Sequence, residues 1–177
     1  MRIHKDGEDK RFRTIKTSAS QFFMTFTLSG LWVTLCSMCA LLAISSPEGL
    51  VMNALTYVGI ILFIIGFGIE IVADNQKTAF RSIEANKDSF ITSGLWSKSR
   101  HPNYFGEVLL WFAIAVISFS SLEGLQLITL ISPVFTYILL VYVSGVRMLE
   151  DMNDKKWADN EQYKSYKKNT PMLFPKL

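Results

Sequence analysis

Four stretches of this chain are apolar for long enough to cross a bilayer, which takes about 20 mostly apolar residues in a helix. They run over 20–44, 50–73, 104–122 and 124–146. Polar segments separate them: a leader over 1–19, a loop over 74–103 and a tail over 147–177. The other two connections, SSPEG and SLEG, are short, so spans one and two, and spans three and four, form tight helical hairpins. The pattern predicts an all-α fold: a polytopic membrane helical bundle of four transmembrane helices, in one domain, with further helices in the cytoplasmic loop and tail. No segment reads as a cleavable signal peptide, because the first apolar run is too long and too far from Met1.

The polar segments carry patterns of their own. VADNQKTAFRSIEANK reads as the second helix continuing beyond the membrane. DSFITSGLW follows, and its glycine breaks that helix. The tail reads as one or two helices, after which Pro171 and Pro175 make the end extended.

Charge gives these elements a side. Six Lys or Arg precede the first span, five lie in the loop and seven follow the fourth span, which accounts for all 18. By the positive-inside rule both termini and the loop are cytoplasmic. The net charge of +3 then reflects membrane sidedness, with lipids as the surroundings and no nucleic-acid partner implied. Cys36 and Cys39 form a C-x-x-C in the middle of an apolar run, where they read as small hydrophobes. The two histidines, His4 and His101, are far apart, so no metal site is expected.

Candidate chemistry gathers where the spans meet the polar segments. Asp74, Lys77 and Arg81 are spaced by three and four, which places them on one helix face. For this stretch alone, a solvated surface face is the plainer explanation. In RHPNYFGE, Pro102 fits a first helical turn, with His101 or a neighbour as the cap. Arg100 beside a helix start suits a phosphate. Asn103 and Glu107 are one turn apart, and an amide beside a carboxylate suits a carboxamide or a ribose. A helix cap with a snorkelling carboxylate is the plainer alternative. Arg147 and Glu150 are three apart where the fourth span ends, as are Tyr163 and Tyr166 in the tail. With Trp157, these tyrosines also fit an interfacial anchor.

GLWSKSRHPNYFGE, preceded by DNQKTAFR and followed by EQYKSYKKNTPMLFP, resembles the steroid 5-alpha-reductase-like membrane family. It resembles most closely the bacterial branch labelled DUF1295, which GEDKRF (Gly7 to Phe12) also matches. The resemblance implies that the cytoplasmic loops and helix ends hold NADPH. It further implies reduction of a conjugated carbon–carbon double bond in a lipophilic, steroid-like substrate entering from the bilayer. A bacterial inner-membrane location follows from the same resemblance. The implied cofactor-binding residues are Asp74, Lys77, Arg81, Arg100, His101, Asn103, Tyr104, Glu107, Arg147, Glu150, Tyr163 and Tyr166, with Asn103 and Glu107 at the nicotinamide.

The chain departs from that family at three points. Glu70 stands where many members have Asn, and Ser89 near where some have Arg. The family begins with further membrane helices that carry the groups polarising the substrate carbonyl. This chain starts near its GED segment, so a truncated or split version, or a misassigned start, is the expectation, and no catalytic residue is assigned. Two rival readings stand beside the reductase. An S-adenosylmethionine-dependent membrane methyltransferase shares RHP, and an inactive remnant or scaffold fits missing helices.

Overall fold

The computed structural model describes residues 17–143 and 145–176. Among them the chain is helical without strands, and four helical stretches are long and apolar enough to cross a membrane. The GEDKRF match and the six leading cations lie outside the described residues.

Helix α1 spans Ala19–Ser45 and starts at Ser18, whose hydroxyl accepts the Gln21 N–H. Helix α2 spans Ala54–Ser82 and starts at Asn53, whose side chain accepts the Thr56 N–H at 3.1 Å. It carries Asp74, Lys77 and Arg81 on its outer turns. A 3-10 turn, Glu84–Asn86, replaces the helix that the pattern continued to 87. There the Asn86 amide donates to the Phe80 carbonyl at 3.0 Å and closes the helix end. Helix α3 spans Pro102–Phe119. It begins ahead of residue 104 because proline has no N–H to lose in a first turn.

The fourth span differs most from the single helix expected over 124–146. Gly124–Ile131 is 3-10, α4 is Ser132–Ile138, and Leu139–Val143 is a π turn. Pro133 supplies the reason: without an N–H it cannot continue an α-helical ladder from the preceding turn. The chain tightens into 3-10 bonds instead, started by reciprocal capping between Glu123 and Gln126. Beyond the π turn, Gly145 leaves helical geometry, at φ −126° and ψ −100°. Helices α5 (Val146–Lys156) and α6 (Glu161–Asn169) follow, so the tail is two helices.

Two seams hold the bundle. On α2, Gly59, Gly66 and Ala73 recur every seven residues and are buried; on α3, Gly106 and Ala113 do the same. A Cβ on Gly106 would lie 2.6 Å from the Gly66 carbonyl oxygen, and one on Gly59 would meet Ile117. The helices are therefore antiparallel, with their backbones in direct contact. In lipid, where burying apolar surface gains little, such close approach is what dispersion attraction requires. The second seam joins α1 to α4 through polar contacts, Cys36 Sγ to Thr136 Oγ1 at 3.2 Å and Cys39 Sγ to Ser132 Oγ at 3.3 Å. Cys39 and Ala43 also pack with Ala115 and Leu122. This pairing runs α1 and α3 parallel, against α2 and α4. The loop after α2 and the tail after α4 thus meet at one end of the bundle.

Candidate functional site

That end is built by the tail folding back on the loop. The Arg100 N–H donates to the Pro171 carbonyl and the Lys176 N–H to the Lys98 carbonyl, both at 2.9 Å. The Ser99 hydroxyl donates to the Leu173 carbonyl at 2.7 Å. Leu173 is buried with Val141 and Val146. Gly94, at φ +61°, turns the loop so that the Leu95 N–H reaches the Gln76 side chain at 3.0 Å. An L side chain at that φ is strained, and its Cβ would collide with Gln76.

Between the end of α2, the loop, α5 and α6 lies a cavity of about 460 Å³. Its cations are Lys77, Arg81, Lys87, Arg100 and Lys156, and its rings are Phe80, Phe90, Trp96, Trp157, Tyr163 and Tyr166. Trp96 is buried, its indole N–H donating to the Ala73 carbonyl at 3.0 Å, with Lys77 Nζ 5.0 Å from its ring. Phe90 lies edge-on to Trp157 and Tyr163 and stacks on Tyr166. The Tyr166 hydroxyl donates to the Trp96 carbonyl at 2.6 Å. Burial pushes Tyr166 up to about 12. Burial and the hydrogen bond to Asp154 push Tyr163 up as well. Both phenols therefore keep their protons at neutral pH.

The cavity wall contains a buried ion cluster. Glu150 lies 2.7 Å from Arg100 Nη2 and 2.7 Å from His101 Nε2. Arg100 Nη1 also donates to the Lys167 carbonyl at 2.7 Å, and Lys167 bridges to Asp154 at 2.6 Å. His101 occupies the N-cap position of α3, but its ring does not cap the helix. Glu150 takes the ring instead, so the expected cap is not formed. Arg100, expected as a phosphate ligand, spends both terminal nitrogens on the protein and leaves Nε buried without a partner among the described residues.

Of the residues singled out by sequence, Lys77, Arg81, Arg100, His101, Glu150, Tyr163 and Tyr166 line this one cavity. Asn103, Tyr104 and Glu107 sit along the first turns of α3 and are not among its lining residues. The Tyr104 ring lies 5.9 Å from that of His101. Asn103 Oδ1 is buried and has no hydrogen-bond partner among the described residues. Glu107 feels the charges of Glu70 and Asp74 across the α2–α3 seam. Arg81 lines the cavity, whereas Asp74, seven residues earlier on α2, is exposed and is not among the lining residues. Arg147 points outward, 4.3 Å from the centre of the Tyr142 ring, although Glu150 on the same helix points in.

Phe80, Phe90, Trp96, Lys87 and Lys156 were not singled out from the sequence, and Trp157 read only as an anchor. Their one signal is the interleaving of basic and aromatic residues on either side of the third span.

A family model described as a protein of unknown function, DUF1295, matches residues 1–170. No curated protein and no solved structure gives a significant match.

Proposed function

Since this chain belongs to the DUF1295 family, we propose from its cavity that it binds NADPH and reduces a conjugated carbon–carbon double bond in a lipophilic substrate drawn from the membrane. One observation carries this reading: five cations and six aromatic rings converge on a single cavity where the loop and tail meet. A phosphorylated dinucleotide has that same mixed character, with several negative charges joined to flat heterocycles. Arg81, Lys87 and Lys77 are the cations for its phosphates, because Arg100 is already held by Glu150 and the Lys167 carbonyl. Trp96 and Phe90 offer faces for a base. The buried, unpartnered Asn103 Oδ1 and the nearby Glu107 carboxylate are acceptors suited to the donors of a carboxamide.

When bound, NADPH supplies the hydride. The protein's part is to hold the ring against the acceptor and to exclude water. The many exposed apolar side chains of α1 and α2 fit an acceptor that arrives sideways from the bilayer. We also read the basic end, and both termini with it, as cytoplasmic; a reporter fused after the last residue checks that orientation. Binding decides the function. Titration of NADPH and of S-adenosylmethionine into detergent-solubilised protein should give saturable binding of the first alone. Saturable binding of S-adenosylmethionine alone would make the protein a methyltransferase, and binding of neither would leave the cavity without this role.

A further inference from the structure

Helix α5 has two working faces, and the cavity uses only one of them. Val146, Leu149, Glu150 and Asn153 turn inward, the last three lining the cavity. At about 100° per residue, Arg147, Met148, Asp151, Met152 and Lys155 share the opposite arc. All five are exposed, Met148 at 53% and Met152 at 59%. Two unbranched apolar chains flanked by two cations and one acid make an unusual face for water, and an ordinary one for a headgroup layer.

Position argues for the same partner. Helix α5 begins three residues after the π turn that ends the fourth membrane-spanning run. Tyr142 and Val143, the last residues of that turn, are exposed, and Tyr142 carries the Arg147 guanidinium over its ring. An aromatic ring at a span end, paired with a cation, marks the membrane boundary. Gly145 breaks the backbone just there, so α5 is not a straight continuation of the span and is free to lie across it.

We propose that the outward face of α5 is a binding surface for anionic phospholipid, with Met148 and Met152 entering the headgroup layer and Arg147 and Lys155 meeting lipid phosphates. The inner face of the same helix forms cavity wall through Leu149, Glu150 and Asn153.

The test uses the full chain in nanodiscs of phosphatidylcholine, with or without phosphatidylglycerol. A fluorophore is attached at Met152→Cys and, as reference, at Asp159→Cys in the turn beyond α5. Wild type, whose Cys36 and Cys39 are buried, sets the labelling background. Spin-labelled lipid should quench the probe at 152 and not at 159, and phosphatidylglycerol should strengthen quenching at 152. Lys155→Gln in the Met152→Cys background should weaken the phosphatidylglycerol response by roughly fivefold, the effect of about one cation near an anionic surface. Equal quenching at both sites, or quenching at 152 that ignores phosphatidylglycerol, overturns the proposal.

Discussion

Glu150 meets Arg100 at 2.7 Å in a nearly buried ion pair that ties the tail to the start of α3. The same carboxylate holds His101 Nε2 at 2.7 Å, so one acid fixes two neighbouring residues of the RHP stretch. Removing one member of a buried pair leaves the other charge uncompensated and costs about 3–5 kcal/mol. Glu150→Gln keeps the shape and should lower the thermal midpoint in detergent. It should also speed proteolysis at the lysines of α5 and α6, as the tail loosens. A midpoint equal to wild type would mean the pair does not secure the tail.

The two arginines of the loop region separate binding from stability. Arg81 is exposed on the cavity rim and makes no ion pair among the described residues, whereas Arg100 is bonded to Glu150 and Lys167. Arg81→Ala should weaken NADPH binding roughly ten- to a hundredfold, the loss of one charge-assisted hydrogen bond, with no change in midpoint. Arg100→Ala should lower both. Unchanged affinity in Arg81→Ala would remove the phosphate role from that residue.

Glu107, on the α2–α3 seam, lies within electrostatic reach of two other carboxylates, Glu70 and Asp74. Glu107→Gln therefore relieves like-charge repulsion, and the midpoint should stay level or rise. If the carboxylate accepts from the nicotinamide carboxamide, NADPH affinity should fall in the same variant, as it should in Asn103→Ala. Undiminished affinity in both would leave Glu107 as a polar residue of the seam and take away the nicotinamide end of the site.

The glycine seam makes a prediction about folding alone. In Gly106→Ala the new methyl meets the Gly66 carbonyl oxygen at 2.6 Å and the Glu70 nitrogen at 2.7 Å, both backbone. Overpacking of this kind costs about 1–3 kcal/mol. Gly68→Ala, where nothing lies within 4 Å, should be tolerated. Midpoints and membrane yields of the two variants, compared side by side, measure the seam.

Hydropathy and charge by themselves determined the four apolar helices and the gathering of cations into loop and tail, because both follow from composition along short windows. They also marked Pro102 at a helix start and the outward run of α2, where the relevant bonds are local. The break-up of the fourth span was foreshadowed by Pro133, yet hydropathy reads 3-10, α and π turns alike. Only the tertiary structure brought Glu150 to Arg100 and His101, since nothing local couples residues about 50 positions apart. Only it turned Arg147 away from Glu150, although helix spacing had placed the pair together. Spacing says which residues share a face of their own helix. Which face meets the cavity is decided by the partner helices, through contacts such as Gly66 against Gly106 that fix rotation and depth together.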